Sequence, residues 1–127
     1  MKYLFSLILL LILFSCEKTP QNGGVSVDLS DCKEFTMGSD QLKLCYDSLI
    51  EESRCPANAN CVWQGVAKAR FRFFINDQEH AFYLSTLNFS TQYKIDTMIG
   101  GYTLKLVDIY PYPGTTGQDR AEVEIIK

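Results

Sequence analysis

Hydrophobic and polar residues alternate most regularly in the segment that follows Gly65. Apolar residues recur at every second position and cations lie between them: the apolar set is Ala67, Ala69, Phe71, Phe73 and Ile75, and the cations are Lys68, Arg70 and Arg72. Successive side chains of an extended strand point to opposite faces, so this segment predicts an antiparallel strand with one buried and one solvated face. The cationic row is either a site for acidic headgroups or anionic glycans or, as we favour, a solvated face balanced by acids such as Glu122 and Glu124 on a neighbouring strand.

The same period of two recurs along the chain and predicts further strands. They are Val25 to Leu29, Leu42 to Asp47, Glu79 to Leu87, Tyr93 to Met98, Tyr102 to Tyr110 and Arg120 to Ile126. Asn76-Asp77 and Gly100-Gly101 supply hairpin turns, and Asp47 to Glu52 is expected to form at most a turn. The fold class is therefore all-β, a single antiparallel β-sandwich or small barrel of about seven or eight strands.

The first residues have the pattern of an export signal rather than of a strand. Met1 to Tyr3 form a short basic head, and the apolar run of Leu4 to Phe14 is too short for a permanent transmembrane helix. The following Ser15-Cys16 resembles the lipobox of bacterial lipoproteins, in which the cysteine is acylated. We expect a lipoprotein signal peptide at 1–15, a lipid-anchored tether at 16–24 and an all-β domain at 25–127, attached to a membrane through lipid on Cys16. The expected location is the bacterial cell envelope, with the outer membrane favoured and the domain in the periplasm or at the cell surface.

Cysteine usage supports an exported domain. Of five cysteines, Cys16 is assigned to lipid, which leaves Cys32, Cys45, Cys55 and Cys61. An even number in a small exported domain favours two disulfides over a zinc site or free thiols. Three connectivities are open; we favour Cys55 with Cys61 and Cys32 with Cys45.

Charge and residue types give little support to several function classes. The whole chain has a formal charge of −3, which offers no electrostatic reason to bind nucleic acid. His80 is the single histidine, and no hydrolase, metalloprotease or phosphate-loop motif is found. We therefore expect no catalytic residues, no resident metal and no cofactor. A calcium site among Asp28, Asp31 and Asp40 is the one metal alternative, with solvated loop acids favoured instead.

One stretch is dense in special residues: Ser53-Arg54-Cys55-Pro56, four residues, then Cys61-Val62-Trp63-Gln64-Gly65. It is similar to an SRCP-x4-CVWxG-like segment in a set of uncharacterised small bacterial lipoproteins and exported proteins. Their second element is matched by Gly101 to Leu106 followed by Pro111 and Pro113. The resemblance covers roughly residues 41–127 and implies an exported all-β domain, without implying any particular chemistry.

Physical chemistry offers two interpretations of this motif. As a folding staple, a disulfide would close the loop, Trp63 would be buried beneath it, Gly65 would permit a bulge, and Arg54 would pair with Glu51 or Glu52. As a recognition surface, the rigid loop would present Arg54, Asn58 and Asn60. Two tyrosines of an extended segment, Tyr110 and Tyr112, would add to that surface.

Together these patterns predict a lipid-anchored, non-enzymatic binding or accessory module whose partner is an envelope protein or a glycan. Two alternatives stay open. One is a small metal-dependent or hydrolytic envelope enzyme, and the other is a purely structural envelope protein.

Overall fold

The computed structural model describes residues 23–127, which form two four-stranded antiparallel sheets packed face to face. The signal peptide, Cys16 and most of the predicted tether lie outside the described residues. The eight strands are β1 (Gly23–Asp28), β2 (Asp31–Met37), β3 (Asp40–Glu52), β4 (Ala67–Ile75), β5 (Gln78–Ser85), β6 (Asp96–Ile99), β7 (Tyr102–Tyr110) and β8 (Arg120–Ile126). The order is β1-β8-β7-β6 in one sheet and β2-β3-β4-β5 in the other, which confirms the all-β sandwich.

The core consists of the alternate apolar residues that the sequence pattern places on one face of each strand. Phe71 and Phe73 of β4 are fully buried. Phe71 stacks on Tyr46 of β3 at 5.1 Å between ring centroids, and Phe73 meets Tyr102 of the opposite sheet edge-to-face at 5.8 Å. Large aromatic side chains thus fill the space between the sheets, where each removes a large apolar area from water.

Several strand bounds differ from those predicted, each for an identifiable reason. The segment Asp47 to Glu52, expected to form at most a turn, belongs to β3, because two register shifts against β4 interrupt its alternation without ending the strand. Strand β2 was not predicted, since it is an edge strand with mostly exposed side chains. Strand β1 begins at Gly23, two residues before the expected domain boundary.

Both disulfides have the favoured pairing. Cys32 and Cys45 are direct cross-strand partners in β2 and β3, with their Cα atoms 4.0 Å apart. Cys55 and Cys61 close the loop between β3 and β4.

The sandwich has two ends, which we name by what they carry. The Gly23 end holds Gly23, the turns at 38–39, 76–77 and 100–101, and Lys127. The loop end holds the segments 53–66 and 111–119. The register fixes this division, because Gly23 lies opposite Ile125 whereas Asp28, at the other end of β1, lies opposite Arg120.

Candidate functional site

The loop 53–66 that follows β3, which we call the stapled loop, is held by hydrogen bonds at its stem as well as by its disulfide. The amide of Ser53 donates to the Val66 carbonyl at 2.9 Å, and the amide of Cys55 donates to the Gln64 carbonyl at 2.8 Å. The Cys55–Cys61 disulfide then closes the tip. Backbone pairing and a covalent link together leave this loop few alternative conformations.

Gly65 is required by a close backbone approach within this stem. Its φ is +70°, a conformation that favours glycine. A Cβ atom at this position would lie 1.7 Å from the Ser53 carbonyl oxygen. The bulge predicted at Gly65 is absent from the described structure; this glycine instead lets the chain pass against Ser53 before β4 begins.

Arg54 lies beneath the loop rather than on the predicted recognition surface. Its relative exposure is 5%, and its guanidinium forms ion pairs with Glu52 at 2.5 Å and Asp108 at 3.0 Å. Burial lowers the pKa of Arg54, but the hydrogen bond and negative charge of Glu52, together with Asp108, outweigh it and raise the pKa above its ordinary value. Arg54 is therefore a structural cation, as the folding-staple interpretation expected.

The guanidinium of Arg54 also completes the outer edge of β7. The short strand β6 pairs with β7 only as far as Lys105, and the Leu106 amide donates to the Ile95 carbonyl. Beyond that point Arg54 donates to the carbonyl of Ile109 at 2.7 Å and to that of Pro111 at 3.4 Å. Without Arg54 these carbonyls would have no hydrogen-bond partner. Arg54 therefore connects the stapled loop to β7 and covers the part of the β7 edge that β6 does not reach.

The segment after β7 packs against the stapled loop and brings part of the predicted surface together. The amide of Ala57 donates to the Pro113 carbonyl at 3.0 Å. The ring of Tyr112 covers the Arg54 guanidinium at 4.6 Å and remains partly exposed. Tyr110 is not part of this group, because its ring faces Arg120 at 4.4 Å. Of the two tyrosines named from the sequence, only Tyr112 therefore lies beside the stapled loop.

The tip of the loop exposes two apolar side chains. Trp63 is 56% exposed and Val62 is fully exposed, so the predicted burial of Trp63 is wrong. Val66, three residues further along the chain, is buried instead. We call the exposed set Asn58, Asn60, Val62, Trp63 and Tyr112 the stapled-loop surface.

A shallow cavity adjoins this surface. It has a volume of about 230 Å³, and its lining includes Gln64, Val107, Asp108 and Tyr112. Val107 is exposed at the register shift where β7 changes its pairing with β8, so it extends the apolar area towards the strand. Val62 and Trp63 were missed from the sequence as surface residues, because apolar residues beside a disulfide are expected in a core. Val107 was missed because the register shift that exposes it leaves no signal in the pattern of apolar residues.

Tyr46 lies in the core towards the same end of the sandwich. Its hydroxyl is buried and has no hydrogen-bond partner among the described residues. Burial, followed by the negative charges of Asp119 and Glu52, raises the pKa of Tyr46 to about 12. The hydroxyl therefore stays protonated at any physiological pH.

Two of the three cations in the row on β4, Lys68 and Arg72, are paired within their own sheet, whereas Arg70 is exposed. Lys68 contacts Glu51 at 2.5 Å and Arg72 contacts Asp47 at 2.9 Å. The predicted balance by Glu122 and Glu124 is wrong because β8 belongs to the other sheet. Lys68 is also buried, with its ammonium 4.0 Å from the Phe89 ring centroid, so the row does not form a continuous cationic surface.

The three aspartates considered for calcium do not converge. Asp28 and Asp31 lie towards the loop end, whereas Asp40 lies at the Gly23 end and accepts hydrogen bonds from Tyr102 and Lys127. Within residues 23–127 no group of three or more histidine, cysteine, aspartate or glutamate side chains is placed to hold a metal ion. The same part of the chain has no helix long and apolar enough to cross a membrane.

Comparison with protein-family models, with curated proteins and with solved structures found no match to this chain.

Proposed function

We propose that this chain is a lipid-anchored envelope protein that acts as a non-enzymatic binding module through its stapled-loop surface. The observation that carries the proposal is the exposure of Val62 and Trp63 at the tip of a loop that is otherwise rigidly held. Exposed apolar side chains lower the solubility of a protein. Tryptophan and tyrosine are among the residues most often found at binding hot spots.

Rigidity of the loop supports a binding role further. A loop fixed by a disulfide, two stem hydrogen bonds and the Arg54 cluster loses little conformational entropy when a partner binds. The flanking amides of Asn58 and Asn60 are exposed and provide hydrogen-bonding groups beside the apolar tip. This mixture suits an envelope protein or a glycan.

Anchorage rests on Cys16 and the apolar leader before it. The two disulfides support an oxidising compartment, where such bonds persist. The intact mass of the isolated protein, measured with and without reductant, tests this part. We expect a chain that begins at an acylated Cys16 and gains the mass of four hydrogen atoms when the reductant converts the two disulfides to four thiols. A retained leader, or four free thiols in the native protein, would contradict the proposal.

The binding role is tested by recovering the acylated protein from its own membranes with bound partners. We compare the wild type with Trp63→Ala and with Met98→Ala, a matched control because Met98 is also a highly exposed apolar residue. Partners or glycans recovered with the wild type should be lost with Trp63→Ala and kept with Met98→Ala. Equal recovery with both variants would count against the stapled-loop surface.

A further inference from the structure

The direction of β1 determines which end of the sandwich is tied to the anchor. Strand β1 begins at Gly23, opposite Ile125, and runs to Asp28, opposite Arg120. Arg120 in turn lies opposite Tyr110, the last residue of β7 before the 111–119 segment. The chain that leads from Cys16 therefore enters the domain at the Gly23 end.

The short distance along the chain keeps this end near the membrane. Only six residues separate Cys16 from Gly23. Even a fully extended chain spans at most about 3.6 Å per residue, so Gly23 cannot lie more than about 25 Å from a lipidated Cys16.

The sandwich is long compared with that reach. Strand β3 runs from Asp40 at the Gly23 end to Glu52 at the base of the stapled loop, 13 residues in all. At about 3.3 Å per residue this separates the two ends by about 40 Å.

The outer face of the β1-β8-β7-β6 sheet carries no excess of cations that would draw the domain flat onto a membrane. Ala121, Val123 and Ile125 are buried, so Glu122 and Glu124 of β8 point outwards. Arg120 pairs with Glu122 at 3.7 Å and Lys105 lies opposite Glu124, so these cations are balanced by acids and give this face no net attraction to an anionic membrane surface.

We infer that the anchored protein stands on its Gly23 end and presents the stapled-loop surface away from the anchoring membrane. This inference rests on the proposed function, because it requires the lipid on Cys16. An exposed tryptophan beside a valine would otherwise suit insertion into the interface of a bilayer. The topology assigns Trp63 instead to a partner in the aqueous space beyond the anchoring membrane.

The chain offers its own probe, because Trp63 is its only tryptophan. Acylated full-length protein is reconstituted into phosphatidylglycerol–phosphatidylethanolamine vesicles that contain a dansyl-labelled headgroup lipid. Energy transfer from Trp63 to dansyl is compared with transfer from a Trp63→Phe, Ser39→Trp double variant. Ser39 is an exposed turn residue at the Gly23 end. Trp63→Phe, Lys127→Trp is a second variant that places the donor at the same end.

We expect energy transfer to dansyl from tryptophan at positions 39 and 127. Energy transfer from Trp63 should not exceed the background. Background is defined by Cys16→Ser, which carries no lipid. Transfer from Trp63 equal to or above that from both other positions would overturn the orientation while leaving anchorage intact. Failure of the wild type to float with the vesicles would instead contradict the proposed anchorage, and the orientation with it.

Discussion

Replacing Arg54 by methionine tests the claim that this buried cation fastens the stapled loop to the sandwich. The substitution keeps much of the apolar side-chain volume but removes all the donors that reach Glu52, Asp108 and the Ile109 carbonyl. Breaking a buried ion pair by removing one partner costs about 3–5 kcal/mol, because the remaining charges are left without compensation. The side chains of Glu52 and Asp108 are 27% and 32% exposed, so water re-solvates them in part. We therefore expect Arg54→Met to lower the free energy of unfolding by about 3 kcal/mol, the lower end of that range.

The assay is urea unfolding followed by circular dichroism, without reductant so that both disulfides persist. A loss of this size should also lower the thermal midpoint by roughly 10–15 °C. Arg70→Met is the matched control, because Arg70 is an exposed arginine of β4, outside the stapled loop, and its loss should change stability by less than about 0.5 kcal/mol. Arg54→Lys should recover only part of the stability, since an ammonium cannot form the forked contacts.

A triple variant separates the ion pair from simple loss of volume. Arg54→Met combined with Glu52→Gln and Asp108→Asn removes the uncompensated charges, so it should be more stable than Arg54→Met alone. A stability of Arg54→Met within about 1 kcal/mol of the wild type, or no recovery in the triple variant, would refute the reasoning.

Three further predictions concern other parts of the sandwich. Tyr46→Phe removes a buried hydroxyl that lacks a partner among the described residues, so the free energy of unfolding should rise by about 1 kcal/mol in urea titrations; a fall of similar size would show that the hydroxyl is satisfied. Gly65→Ala should lower the free energy of unfolding by more than about 3 kcal/mol or prevent folding. Gly101 also has a positive φ but has open space around it, so Gly101→Ala should lower the free energy of unfolding by less in the same titration. Hydrogen bonds from Tyr102, Asn76 and Lys127 lower the pKa of Asp40 from 3.8 to about 2. The ionised carboxylate therefore stabilises the folded protein above pH 3.8, and this stabilisation disappears as the pH falls towards 2. The stability difference between the wild type and Asp40→Asn should shrink over that range, and a difference that grows as the pH falls would contradict the assignment.

The strands that are predictable from sequence are those with one fully buried face. Strand β4 alternates apolar and cationic residues from Ala67 to Phe73, and its hairpin turn at Asn76-Asp77 has the positive φ angles expected of such turns. The end of β3 is different, because two register shifts after Tyr46 interrupt the alternation of buried and exposed side chains from which a strand is predicted. An exposed edge strand such as β2 has no buried face to mark it.

The candidate site was predictable only in its position along the chain. Special residues around Cys55 and Cys61 marked the loop, but side-chain direction in a loop follows no period. Hydrophobicity alone predicted a buried Trp63, whereas the structure buries Val66 and leaves Trp63 56% exposed. The role of Arg54 depends on Asp108 and Ile109, which are 54 and 55 residues away in sequence and become its neighbours only through the fold.

Photo-crosslinking in growing cells tests the central claim, that the stapled-loop surface binds a partner, most directly. A photoreactive amino acid is placed at Val62 and, in a control, at Met98, both of which are exposed. We predict a discrete crosslinked product from position 62 that is absent from position 98 and is lost when Trp63→Ala is added. No product from position 62, or the same product from both positions, would contradict the account.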